Sequence, residues 1–114
     1  LVGAVNFIHS KGAVHRDLKL ENCFLDKEVT LKVADFGMMK MYAGPCATVL
    51  QTQCGTPNYM APELFSGQKY EGPPVDVFAL GAVLFLIRYG RFGFLKAGDA
   101  HYNKLIKNSV LAMR

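Results

Sequence analysis

A mainly α-helical chain with a short β-hairpin is the fold class predicted by three stretches of the 114-residue sequence. From Val75 to Tyr89, the residues Val77, Phe78, Leu80, Val83, Leu84, Phe85 and Ile87 cover nearly every face, the pattern of a central helix buried all round. Cys23-Phe24-Leu25 and Val29 to Val33 are short apolar runs on either side of Asp26-Lys27-Glu28, which reads as two strands and a turn. Leu1, Ala4, Val5 and Ile8 share one helical face, with Val2 beside them. The length allows one domain at most, with a modest core.

In chain order, the first helix stops at Ser10-Lys11-Gly12, where glycine suits the residue after a helix end. Ala13-Val14 is a short extended entry into residues 15 to 22. In the hairpin, Leu31 and Val33 share a face and Lys32 points away. Met38 to Met60 has little regular pattern and holds Gly44-Pro45 and Gly55-Thr56-Pro57; a loop of this length is a functional lid or a disordered segment. Ala61-Pro62-Glu63 starts a short helix, with proline at an early position. Ser66 to Pro74 is a second loop, closed by Pro73-Pro74. Asp76 lies at the start of the long helix, where a carboxylate caps free N–H groups. After a loop from Gly90 to Gly98, Asp99 caps a last helix whose inner stripe is Tyr102, Leu105, Ile106 and Val110.

Composition narrows the function. About half the residues are apolar, and the net charge is +4 with the basic residues scattered, so no nucleic-acid patch is expected. Cys23, Cys46 and Cys54 are odd in number and form no C-x-x-C, so they read as thiols in a reducing, cytoplasmic setting and not as a disulfide or zinc framework. The longest apolar run, Val77 to Ile87, is too short to span a bilayer, and no membrane partner is expected. His9 and His101 have no evident partner in the sequence and read as surface or interface residues.

The chemistry concentrates in His15-Arg16-Asp17-Leu18-Lys19-Leu20-Glu21-Asn22 and, beyond the hairpin, Asp35-Phe36-Gly37. An acid, a lysine and an asparagine in one tight loop, with a second acid nearby, is the set that phosphoryl transfer needs. Asp17 accepts a hydroxyl proton and Lys19 offsets phosphate charge. Asn22 and Asp35 offer hard oxygens to Mg²⁺.

His-Arg-Asp-(x)4-Asn and Asp-Phe-Gly, followed by Cys54-Gly55-Thr56-Pro57-Asn58-Tyr59-Met60-Ala61-Pro62-Glu63 and Asp76-Val77-Phe78-Ala79-Leu80-Gly81, resemble the eukaryotic protein kinases in order and spacing. The resemblance implies a partial C-terminal lobe of the α+β protein-kinase fold over residues 1–114. That part would hold the end of the family's helix αE, the catalytic loop, the magnesium loop, the activation segment, αF and αG. It also implies transfer of the ATP γ-phosphate to a protein serine or threonine hydroxyl. Asp17 would take the hydroxyl proton, with Lys19 and Thr56 beside it. Lys19 would also contact the nucleotide, and Asn22 and Asp35 would bind the metal. Lys19, together with Thr56 before Pro57-Asn58-Tyr59, resembles the serine/threonine type, and Met38 after the Asp-Phe-Gly motif leans towards serine. Leu50-x-Thr52-x-Cys54-Gly55 resembles the AMP-activated and calcium/calmodulin-dependent branch. There an upstream activating kinase would phosphorylate Thr52, and the phosphate would pair with Arg16. Glu21 would attract a basic residue of the substrate.

The sequence departs from the family in lacking G-x-G-x-x-G and a strand lysine paired to a helix glutamate. The expectation is a fragment that is inactive by itself, since phosphoryl transfer depends on positioning. The family's arginine partner for Glu63 is also missing, which would leave that carboxylate half-buried and unpaired. A non-catalytic, pseudokinase-like interaction module is the alternative, opposed by the intact Asp17, Lys19, Asn22 and Asp35. A small-molecule kinase of the aminoglycoside type is disfavoured by the segment from Gly55 to Glu63.

Overall fold

The computed structural model describes residues 1–42, 49–95, 98–104 and 107. Helix α1 (Val2–Ser10) turns Val5 into the core and keeps Leu1, Ala4 and Ile8 half-buried, while Val2 is exposed. The helix ends as glycine dictates: Gly12 takes a left-handed φ of +70° and donates its N–H to the His9 carbonyl. Strand β1 (Ala13–Val14) follows, then the loop and a 3₁₀ turn at Leu20–Asn22.

The hairpin pairs β2 (Cys23–Leu25) with β3 (Leu31–Val33), Cys23 opposite Val33 and Leu25 opposite Leu31. Its second strand starts later than expected. Asp26 Oδ1 accepts from the N–H groups of Glu28 and Thr30, which draws Val29 and Thr30 into the turn and leaves Val29 at φ +60°. Leu31 and Val33 are half-buried and Lys32 is exposed, as the alternation implied.

Strand β4 (Lys40–Met41) pairs with β1, and β5 (Val49–Leu50) pairs with β6 (Tyr70–Glu71). The stretch expected to lack regular pattern is thus pinned near its start and at its middle by antiparallel ladders of two residues each. Ladders this short leave no period in a sequence. Two further 3₁₀ turns, Pro57–Tyr59 and Pro62–Phe65, follow β5; the second is the short helix anticipated there. Ala43, Gly44, Pro45, Cys46, Ala47 and Thr48 lie outside the described residues, as do Leu105, Ile106 and Val110 of the expected stripe.

Helix α2 (Gly72–Tyr89) begins three residues before the expected Val75. Pro73 and Pro74 do not close a loop; they occupy the first turn, where no N–H is needed. Gly72 has to be glycine there, because a Cβ would come within 2.7 Å of Val14 Cγ1. Asp76 therefore lies past the first turn and does not cap the helix. Gly90, at φ +65°, ends it by donating to the Leu86 carbonyl.

Nor is α2 buried all round. Val75, Ala79, Leu80 and Val83 are buried, but Val77 is 58% exposed, Leu84 47% and Ile87 59%. Its described neighbours cover one side. Val5, Leu18, Tyr59, Ala79 and Val83 form one cluster; Met60, Ala61, Leu64, Tyr70 and Val75 form another. By length and composition the whole 18-residue helix, unlike its longest apolar run, is long and apolar enough to cross a membrane. Of the apolar residues that α2 does bury, Ala79 and Val83 share a cluster with Leu18 of the 15 to 22 loop, and Val75 lies in the other.

Residues 100–104 open a last helix. Asp99 caps it as expected, with Oδ1 accepting from the Tyr102 N–H at 2.7 Å and Oδ2 from Leu95 N–H at 2.7 Å. Tyr102 is buried against the edge of Phe94.

Candidate functional site

The loop between β1 and the Leu20–Asn22 turn is shaped by what it binds behind it. Leu18 is buried and His15 and Asp76 are almost fully enclosed. Asp76 Oδ2 accepts from the His15 N–H at 2.8 Å, and Oδ1 accepts from the Arg16 N–H at 2.8 Å. This leaves Arg16 at φ +69°, a conformation that a non-glycine residue keeps only when its surroundings hold it. A third group on Asp76 corrects the expectation for His9: its Nε2 lies 2.8 Å from Asp76 Oδ2, so His9 ties α1 to α2.

His15 works from below. Its Nδ1 accepts from the Asp17 N–H at 3.3 Å and its Nε2 donates to the Ala34 carbonyl at 3.1 Å, which places the ring proton on Nε2. The ring also packs against Phe36 at 5.1 Å. His15 is thus the structural bridge between residues 15 to 22 and residues 34 to 36.

In front of this frame Asp17, Lys19 and Thr56 close a triangle. Lys19 Nζ donates to Asp17 Oδ2 at 2.8 Å and to Thr56 Oγ1 at 3.0 Å; Thr56 Oγ1 donates to Asp17 Oδ1 at 2.8 Å. The bond to Asp17 raises the Lys19 ammonium above its usual pKa, against a smaller opposing effect of burial. Lys19 therefore stays charged at neutral pH. Each Asp17 oxygen accepts one bond here, and a carboxylate has lone pairs for more. Gly55 makes the approach of Thr56 possible: at φ +116°, a Cβ on it would meet the Arg16 carbonyl oxygen at 2.9 Å.

Asn22 is buried and donates Nδ2 to the Asp17 carbonyl at 3.0 Å, which leaves Oδ1 as its open oxygen. Asp35 follows β3 at φ +61°; its Oδ1 accepts from the Gly37 N–H at 3.3 Å, and the residue is exposed. One amide oxygen and one exposed carboxylate suit Mg²⁺, a hard cation that takes few protein oxygens and fills its octahedron with water and phosphate. Among the described residues no cluster of three or more His, Cys, Asp or Glu forms an all-protein metal cage.

Arg16 and Thr52 lie at the rim. Arg16 Nε donates to the Met38 carbonyl at 2.6 Å. Thr52 is exposed, and its carbonyl accepts from the Tyr70 hydroxyl at 2.7 Å. Glu63 is half-buried, with no ion pair among the described residues.

Two contacts carried no signal in the sequence. Tyr59, buried within the Gly55 to Glu63 segment, donates its hydroxyl to Glu21 Oε2 at 2.9 Å. His9 meets Asp76 across 67 positions. Neither pairing follows from local spacing.

Burial, aided by the bond to Glu21, pushes the Tyr59 phenol up to about 12, and burial beside Glu63 does the same for Tyr102. The ordinary value is 10.0. A raised phenol pKa means that the fold favours the neutral form, so this stabilisation is complete below pH 10 and is lost as pH rises through 12. Denaturant unfolding at graded pH, followed together with phenolate absorbance, should show stability falling across that window as the phenols ionise. A loss centred below pH 9 would contradict it.

Comparison with known proteins follows this geometry. The chain matches the protein kinase domain family model over residues 1–114. It is 46% identical over 94 residues to the serine/threonine-protein kinase SIK3 homolog of Danio rerio, covering 82% of this chain and 8% of that protein. It is 47% identical over 94 residues to NUAK family SNF1-like kinase 1 of Mus musculus and of Homo sapiens, covering 82% of this chain and 14% of each. The match thus spans a small part of the length of these relatives.

Proposed function

The chain belongs to the protein kinase family, and on that premise we propose that it is the part of a serine/threonine protein kinase that receives the substrate hydroxyl and the magnesium-bound phosphates of ATP. The observation that carries this reading is the Asp17–Lys19–Thr56 triangle. It puts a proton acceptor and a fixed positive charge side by side on a loop anchored from behind. The names of the serine/threonine kinase relatives support the type.

In this reading Asp17 orients the hydroxyl and takes its proton as the oxygen attacks the γ-phosphorus. Lys19, held charged by Asp17, offsets charge on the phosphoryl group in flight. Thr56 keeps the segment that meets the substrate in register with the acid. Asn22 Oδ1 and Asp35 would hold Mg²⁺, which supplies charge neutralisation to the phosphates. Residues 1–114 contain no glycine-rich phosphate loop, so residues outside this stretch would cover the nucleotide. Thr52, exposed at the rim, would accept a phosphate from an upstream kinase, and that phosphate would pair with Arg16.

The test is phosphorylation of a serine peptide by the full-length protein. Asp35→Asn should lower magnesium-ATP-dependent transfer by about 10²–10³-fold, and the 114-residue chain by itself should transfer no measurable phosphate. Full activity of Asp35→Asn would overturn the metal role.

A further inference from the structure

We infer that Tyr70 is a positioning residue for the regulation of this site: its hydroxyl pins the backbone at Thr52, in the segment whose Gly55 lies against the loop that carries Arg16. The inference rests on the reading of Thr52 as the residue whose phosphate meets Arg16. Three observations carry it. The β5–β6 ladder sets Leu50 opposite Tyr70, which brings the phenol alongside the residues that follow β5. The hydroxyl donates to the Thr52 carbonyl at 2.7 Å. The ring is 5% exposed and sits in the cluster with Met60, Ala61, Leu64 and Val75, so the donor has little freedom to leave.

The segment that Tyr70 holds reaches the Arg16 loop at Gly55. Gly55 closes the same seam, since its backbone lies against the Arg16 carbonyl. Thr52 itself stays exposed, open to a modifying enzyme. The clamp shortens the search that a phosphothreonine side chain must make to reach the guanidinium, because the backbone carrying it is already placed. Without the hydroxyl, that ordering has to come from the phosphate contact alone.

The experiment uses the full-length protein with Thr52 or semisynthetic phosphothreonine at position 52, each with Tyr70 or Tyr70→Phe. It reads amide hydrogen exchange over 49–55 and the gain in serine-peptide phosphorylation on going from Thr52 to phosphothreonine. Tyr70→Phe keeps the ring, so the unfolding midpoint should stay within about 5 °C. Leu50→Ala, which trims the packing but keeps the hydroxyl, is the control for general loosening. The expected result is exchange about tenfold faster over 49–55 in Tyr70→Phe, with the phosphothreonine gain reduced at least about threefold and kept in Leu50→Ala. Unchanged exchange overturns the clamp. Faster exchange with an undiminished gain also overturns it, because the clamp then does not serve Arg16. An equal loss of gain in Leu50→Ala overturns it as well, by making the effect one of packing. If the unaltered protein gains nothing from phosphothreonine, the Thr52 reading fails, and the clamp is judged on exchange alone.

Discussion

Asp76→Ala is expected to cost about 3–5 kcal/mol of stability and to abolish the shape of the loop at residues 15 to 17. The carboxylate is 1% exposed and serves the His15 N–H, the Arg16 N–H and His9 Nε2 at once. Alanine would leave two main-chain donors without an acceptor, each costing about 1–3 kcal/mol. It would also release Arg16 from its left-handed conformation. Total domain stability is typically about 5–15 kcal/mol, so a loss of this size removes a large share. Asp76→Asn keeps one acceptor oxygen and should fall roughly midway. Urea unfolding of both variants of the full-length protein, beside the parent, measures the losses. A loss below about 1 kcal/mol for alanine would mean that the loop holds its own shape.

Asp17→Asn in the full-length protein should lower kcat by about 10²–10⁴-fold while leaving KM for ATP near the parent value. Asparagine is close in size but carries no charge and takes up no proton. Its carbonyl can serve Lys19 or Thr56, not both in the way the two Asp17 oxygens do. The loss should therefore appear in the chemical step and not in nucleotide affinity. Steady-state kinetics with a serine peptide separates the two. A kcat reduced less than about tenfold would remove Asp17 from the role of proton acceptor.

Asp17, Lys19, Asn22 and Asp35 were legible because their spacing is local, whereas Thr56, 39 positions from Asp17, was legible only through the family resemblance. His15 to Asn22 is one loop, and a short hairpin delivers Asp35. The turn inside that hairpin was not legible, since Val29 is a β-branched residue at φ +60° held there by Asp26, against its own preference. The start of α2 was misplaced because Pro73 and Pro74 read as a stop where they open the first turn. The all-round burial of α2 was overstated, since apolar composition does not say which faces find neighbours. The ladders pinning Lys40–Met41 and Val49–Leu50 are too short to have a period, and the tie from His9 to Asp76 spans most of the chain. What escaped the sequence is nonlocal: these ladders and the tie from His9 to Asp76.

The bonds from Asp76 to His15 and Arg16 join positions 61 and 60 apart. Closing a loop of that length costs more chain entropy than closing a local one. A shorter product of the same sequence, cut anywhere between Glu63 and Asp76, would display every recognisable motif from His15 to Glu63. It would lack the carboxylate that holds Arg16 in place. The motifs from His15 to Glu63 and a working loop are therefore separable properties of this chain, and the residue that separates them opens the last motif, Asp76 to Gly81.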